Sequence, residues 1–208
     1  MRKIETKIEK EKKNRRNQFI VGGILILIMI LSTLGYSIGS NINNNEESKT
    51  INHNGFEFTE KNGFWFSKYG NIELGFKYNP QQTENINSEV NNIEMYFGNP
   101  LYIFSDSYEA ELEIYRNMQY IAQRMQHACL NAENITWTSL EEDIDKKMIE
   151  KECENNSPIK NCENNFILIL EGDKPEIIKK DNCLFIIEKQ ENLTRMTDSA
   201  LFEIFGIN

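Results

Sequence analysis

The four cysteines are the residues of this 208-residue chain whose type and spacing point most directly to chemistry. Their spacings are wide and contain no CxxC motif, which is unlike a zinc ribbon or a thioredoxin-type redox site. An even number of cysteines outside the cytoplasm is typical of disulfides, and four reduced core thiols are the alternative. The residues are Cys129, Cys153, Cys162 and Cys183.

Histidines and carboxylates are the other candidates for chemistry. The chain has two histidines, and we expect His53 in a flexible linker and His127 on the water-facing side of a helix. Because nucleophilic triads need a held imidazole, the sequence disfavours them. Asp106 and Glu109, near a strand end, are candidates for acid–base hydrolysis, which uses one buried and one ionised carboxyl. The same pair fits a helix cap, so we assign no catalytic residue, metal or cofactor.

A long apolar run determines where these residues are expected to lie. Residues 19–38 carry no charge, and about 20 helical residues span a bilayer. Residues 1–18 form a basic arm with eight cationic and three acidic residues. Since basic flanks stay cytoplasmic, we predict a single-pass membrane protein with its C-terminal domain outside. The alternative is a cleaved signal peptide, whose apolar region is usually shorter.

Charge narrows the choice of partners. The chain has a formal net charge of −9, and without the arm 15 basic residues face 29 acidic ones. Such a domain repels phosphate backbones, so nucleic acid is not an expected partner. We expect the arm to contact membrane lipid. Gly35 and Gly39 have the spacing of a helix-packing motif, which predicts a weak homodimer.

The remaining chain predicts a tether at 39–54 and one α+β domain at 55–208. Aromatic residues alternate with polar ones from Phe56 to Tyr78, which predicts a β-meander. We expect a three-residue turn at Asn62–Gly63 that places Phe58 opposite Phe66 and turns Trp65 to the other face.

After the meander, the pattern predicts a helix within 84–97 and a short buried strand at 101–104. A long amphipathic helix then begins with an Asp106–Glu109 capping box. Its predicted buried stripe comprises Tyr108, Leu112, Tyr115, Met118, Ala122, Met125 and Cys129.

The last block predicts a second meander, with strands at 166–170, 176–180 and 184–187, and a C-terminal helix that begins near Asn192. Folding about Asp173 brings Cys162 near Cys183, which leaves Cys129 to pair with Cys153. Three sequons are compatible with an outside location: Asn134, Asn155 and Asn192.

Most of the C-terminal half resembles uncharacterised single-pass membrane proteins of small-genome archaea. The segments that carry the resemblance are Ala128–Cys129, Cys153, Ser157–Cys162, Asn165–Ile169, Asn182–Ile186 and the closing Leu201–Ile207. The resemblance implies an outward, cysteine-bridged domain and carries no activity. Two function classes therefore stand: a surface-tethered interaction or assembly module, which we favour, and an extracytoplasmic carboxylate-dependent hydrolase.

Overall fold

The computed structural model describes residues 15, 17–32, 49–83, 89–131 and 157–207. The chain divides into two compact units, Met1–Glu47 and Ser48–Asn208. In the first unit, residues 17–32 form helix α1, whose apolar side chains are exposed. Among the described residues, no helix has both the length and the apolar character needed to cross a bilayer. Residues 33–38, with Gly35, and Gly39 lie outside the described residues.

The second unit begins with an antiparallel sheet of four strands that follow one another in chain order. The strands are β1 (Thr50–His53), β2 (Phe56–Lys61), β3 (Phe64–Tyr69) and β4 (Ile72–Phe76). The predicted meander is thus confirmed and gains one strand. The tether was predicted to run to residue 54, but β1 pairs with β2 along its whole length, so His53 belongs to the sheet.

The predicted register of the first hairpin is wrong. Lys61 pairs with Phe64 across a two-residue turn, and Asn62 and Gly63 both have positive φ, as a type I′ turn requires. Trp65 therefore shares the core face with Phe58 and is buried, whereas Phe64 and Phe66 lie on the outer face and are partly exposed. The aromatic residues do not all lie on one face, because the two-residue Asn62–Gly63 turn determines which residues of β2 and β3 are paired.

A mixed five-stranded sheet forms the other side of this unit. Its order is β10-β11-β9-β5-β6, in which β5, β6, β9 and β11 are parallel and β10 is antiparallel at one edge. A separate parallel pair joins β7 to β8. The strands are β5 (Pro100–Ser105), β6 (Arg124–His127), β7 (Cys129–Leu130), β8 (Ile159–Lys160), β9 (Phe166–Glu171), β10 (Glu176–Lys180) and β11 (Cys183–Glu188).

The predicted strands of the last block are confirmed, but their arrangement as a meander is wrong. β9 does not pair with β10, because β11 lies between them and runs parallel to β9. The reason is burial: β9 is buried except for its last residue and β11 is buried throughout, whereas β10 is partly exposed. Strands buried on both faces belong in the interior of a parallel sheet, and the polar β10 takes the edge.

Two helices, α2 (Tyr108–Met118) and α3 (Leu193–Ile204), pack against each other. α2 begins after Ser107, whose Oγ accepts a hydrogen bond from the Ala110 N–H, so the predicted Asp106–Glu109 box is displaced by one residue. The predicted long helix is too long, since α2 ends at Met118 and strand β6 follows. In the 84–97 region, the described residues contain only a 3₁₀ turn at Ile93–Met95, and residues 84–88 lie outside the described residues.

The buried face of α2 also differs from the prediction. Tyr108 is 74% exposed and Leu112 is 38% exposed, whereas Glu113 and Asn117 are buried. In α3, by contrast, the predicted inward residues are confirmed, and Gly206 has the positive φ expected after a helix end. The inward residues are Leu193, Met196, Ala200, Leu201 and Ile204.

The two helices form a middle layer between the sheets. Phe202 of α3 contacts Phe58 and Phe76 of the four-stranded sheet, with ring centroids 5.8 and 4.6 Å apart. The same core cluster includes Ile103, Ile167 and other residues of the five-stranded sheet. A second cluster covers the far face of that sheet. The described part of this unit is therefore a three-layer α+β fold.

Candidate functional site

The polar residues buried on α2 contact the outer edge of strand β4. The Gly75 N–H donates a 2.9 Å hydrogen bond to Asn117 Oδ1, and Asn117 Nδ2 donates to Gly75 O at 2.9 Å. Nδ2 also donates to Glu113 O at 3.0 Å. The asparagine amide thus replaces a neighbouring strand, which protects an edge that would otherwise be open. A Cβ at Gly75 would lie only 3.1 Å from the side chains of Arg116 and Phe66, so a larger residue there would have to displace them.

Two carboxyl groups continue the same edge. The Tyr78 N–H donates to Asp198 Oδ2 at 2.8 Å, and Glu113 accepts a hydrogen bond from the Lys77 backbone. Arg116 Nη1 lies 2.7 Å from both carboxylate oxygens of Glu113. Side chains of helices α2 and α3 therefore accept hydrogen bonds from the backbone at three positions, Gly75 in β4 and Lys77 and Tyr78 just after it.

The titration of these carboxyls is strongly perturbed. Burial raises the pKa of Asp198 well above its usual range, and the neighbouring Glu113 charge raises it further. Burial also raises the pKa of Glu113, although the hydrogen bond from Arg116 opposes this. Asp198 Oδ1 has no partner at strict hydrogen-bond geometry among the described residues. Burial and the Glu113 charge therefore favour a protonated Asp198, while Arg116 favours an ionised Glu113.

Perturbed carboxyls of this kind are candidates for acid–base catalysis, but this pair is enclosed. Asp198 is fully buried and Glu113 is 2% exposed. Their contacts are with the backbone, with each other and with Arg116, and neither lines the cleft formed by residues 171–176 and 187–191. The predicted candidates Asp106 and Glu109 do not join them: Asp106 Oδ2 accepts the Glu171 N–H at 3.0 Å, and Glu109 is exposed in the first turn of α2.

That cleft lies at the carboxyl ends of β9 and β11. Its volume is about 540 Å³, and the carboxyl ends of parallel strands are where α/β sheets commonly bind ligands. Its polar lining is acidic apart from Lys174, Lys189 and Gln190. No group of three or more metal-ligating side chains is arranged to hold a metal within the described residues.

His127 is closer to a nucleophile than the sequence indicated. It lies in β6, where its ring centroid is 5.7 Å from that of Phe104 and its Nδ1 is 3.5 Å from Ser157 Oγ. Glu111 interacts with it electrostatically. The prediction that His127 faces water from a helix is wrong, because it lies in a strand and is half-buried. At 3.5 Å the serine contact is too long for an activated nucleophile.

The outer face of the four-stranded sheet carries a cluster that sequence reasoning missed. Phe64 lies under two cations: Arg116 Cζ is 4.5 Å and Lys77 Nζ 5.2 Å from its ring centroid. Lys61 Nζ lies 5.9 Å from the Phe66 ring centroid. We call these five residues the lysine–phenylalanine patch. The Asn62–Gly63 turn was the available signal, because a two-residue turn places Lys61 opposite Phe64 and both phenylalanines outward.

The predicted disulfide between Cys162 and Cys183 is present. Cys129 is also disulfide-bonded, and its predicted partner Cys153 lies outside the described residues. The correct pair arises from a different geometry than predicted: Cys183 opens β11 opposite Phe166, the first residue of the parallel strand β9. Cys162 lies four residues before Phe166, at the end of the sheet where β9 and β11 both begin. Of the sequons, Asn192 precedes α3, and Asn134 and Asn155 lie outside the described residues.

These features define a three-layer α+β domain with a polar seal along one sheet edge and an aromatic, basic outer face. No family model, curated protein or solved structure matches the chain.

Proposed function

We propose that this protein is a membrane-anchored, outward-facing interaction or assembly module. The observation that carries the proposal is the lysine–phenylalanine patch, in which two partly exposed phenylalanine rings lie beneath three cations on an open sheet face. Aromatic side chains and arginine are enriched where proteins bind one another.

The anchoring part of the proposal rests on the first unit. Phe19, Leu25 and Met29 are 78%, 59% and 71% exposed on α1, and an apolar surface of this kind requires lipid or protein to cover it. In the sequence the uncharged run extends from Phe19 to Ile38 behind an arm of net charge +5. A lipid bilayer is the cover that fits both features, with the arm in the cytoplasm. Gly35 and Gly39 then supply a proposed site of weak homodimerisation.

The hydrolase alternative receives no specific support from the described geometry. The carboxyls with raised pKa are buried against β4, while the cleft at the ends of β9 and β11 contains neither of them. An acid–base mechanism needs both functions at a surface that substrate can reach.

Site-specific photocrosslinking in native membranes tests the module. A photoreactive residue at Thr59, beside Phe66 in the sheet, should capture the same protein reproducibly. The matched position is Lys179, which is exposed on edge strand β10 of the other sheet, and it should not capture that protein. Equal capture at both positions, or none at Thr59, would contradict the proposal. Gly35→Leu should weaken any homodimer without changing the Thr59 product.

A hydrolytic turnover that Asp198→Asn abolishes, with the fold retained, would instead establish the enzyme. This outcome is informative because asparagine preserves the hydrogen bond from Tyr78 but cannot exchange a proton at neutral pH.

A further inference from the structure

The lysine–phenylalanine patch has an ordered layout across three strands. Lys61 of β2 pairs with Phe64 of β3, and Lys77, just after β4, lies on the other side of the same ring. One row across the sheet thus reads cation, aromatic, cation. The next row reads Thr59, Phe66 and Gly75, with Arg116 lying over Gly75.

The patch contrasts in charge with the rest of its unit. Beyond the basic arm the chain has 15 basic and 29 acidic residues, but these two rows contain no carboxylate. Arg116 is neutralised by Glu113, whereas Lys61 and Lys77 make no ion pair within the described ranges. Their ammonium nitrogens lie over phenylalanine rings, 5.9 Å from the centroid of Phe66 for Lys61 and 5.2 Å from that of Phe64 for Lys77, where the ring faces attract them.

We propose that this patch binds a short acidic segment of a partner polypeptide. The inference rests on the proposed function and specifies the partner's chemistry. β2 and β4 flank β3, so Lys61 and Lys77 arise about 10 Å apart. An extended peptide places side chains of one face about 7 Å apart, and flexible lysine stems cover the difference. Carboxylates two residues apart therefore reach both lysines while the peptide crosses Phe64.

The neighbouring row limits the length of the partner segment. It carries Glu57, Lys68 and Glu73, of which Lys68 and Glu73 are directly paired. A long polyphosphate chain or a broad anionic bilayer would meet these carboxylates and the acidic unit around them, where like charges repel. A short peptide fits over the two rows that carry no carboxylate. A shallow groove of about 370 Å³ includes Thr59, Lys61 and Phe66 of these rows and ends on the neighbouring row at Glu57 and Glu73.

The test measures fluorescence anisotropy of a labelled short peptide that alternates glutamate and alanine, with the full-length protein in neutral detergent. We expect saturable binding that weakens as salt is raised. Lys61→Glu and Lys77→Glu should each weaken it by at least about fivefold. Lys179→Glu, which makes the same charge change on the exposed edge strand β10, should change it by less than about twofold. Circular dichroism of each variant verifies the fold.

Competition separates the possible partners. If vesicles of phosphatidylglycerol or a single-stranded oligonucleotide bind more tightly than the peptide, and do so through Lys61 and Lys77, the inference is overturned in favour of lipid or nucleic acid. Absence of peptide binding, or an equal loss in the Lys179→Glu variant, also overturns it. If the Thr59 crosslink forms but the peptide does not bind, the acidic-peptide inference is wrong and the interaction module is supported. If the peptide binds but no crosslink forms, the patch binds acidic peptide and the proposed interaction module is contradicted.

Discussion

Asp198→Asn tests whether the buried carboxyl pair holds a proton in the native protein. The raised pKa of Asp198 means that the folded chain retains a proton which the unfolded chain releases above about pH 4. The native state then binds more protons than the unfolded state, so the free energy of unfolding decreases as pH rises. One proton corresponds to about 1.4 kcal/mol for each pH unit, up to the native pKa of the pair.

The asparagine cannot bind the extra proton, so it removes this pH dependence of stability, and it keeps the hydrogen bond from Tyr78. Its carbonyl accepts the Tyr78 N–H as Asp198 Oδ2 does, and its amide donates towards Glu113, which can then ionise beside Arg116. We therefore expect the variant to be more stable than the wild type at neutral pH. The difference should shrink by about 1.4 kcal/mol per pH unit as the pH falls below the native pKa towards about pH 4.

Urea unfolding between about pH 4 and pH 8 measures both profiles. Subtracting them cancels groups that titrate identically in the two proteins. Glu109→Gln is the control, since it also converts an acid to an amide but at an exposed site of α2, and its stability difference should stay within about 0.5 kcal/mol. Parallel profiles for wild type and Asp198→Asn, or a variant that is less stable at neutral pH, would contradict the raised pKa of Asp198 and the extra proton that it holds in the folded protein.

Three further predictions address other parts of the chain. Asn117→Ala should lower the free energy of unfolding by about 2–4 kcal/mol, because the buried Gly75 N–H and C=O lose their partner. The control Gln119→Ala, at an exposed site, should lower it by less than about 1 kcal/mol. Equal losses for the two variants in urea unfolding would contradict the edge-sealing role of Asn117. Replacing both Cys162 and Cys183 with alanine opens a loop with a sequence separation of 21 and should cost about 3 kcal/mol on the chain-entropy model, with an unchanged urea midpoint as the contrary result. Protease added to intact cells should remove a C-terminal epitope, and full protection would refute the outward topology.

Local sequence in the two hairpin regions contains signals for strand register and strand order. Asn62–Gly63 carries enough information to fix its own register, since a two-residue type I′ turn is favoured by this dipeptide. The predicted register is wrong because the aromatic residues divide between the two faces of the sheet, as the two-residue turn dictates. In the last block, the unbroken apolar runs of β9 and β11 are typical of interior parallel strands, so the amino-acid pattern itself contains the signal that argues against a meander.

Helix α2 shows the opposite case. Its sequence offers an apolar stripe through Tyr108 and Leu112, yet Glu113 and Asn117 are buried and Tyr108 is exposed. Helical periodicity measures which residues share a face but not what that face meets. Here it meets the polar edge of β4, whose backbone groups require hydrogen-bonding partners. No local pattern contains that requirement, because Gly75 lies 42 residues away in the sequence.

The sequence by itself determined the features that depend on neighbouring residues: the β-meander, the buried strand at Pro100–Ser105, the C-terminal helix with Gly206 after its end, and the uncharged run with its basic arm. Turns, caps and periodicity act over a few residues and can be read locally. Tertiary structure alone decided that β11 lies between β9 and β10 and which polar side chains seal β4. These depend on pairing and burial between distant segments, whose free energies arise only when the chain is folded.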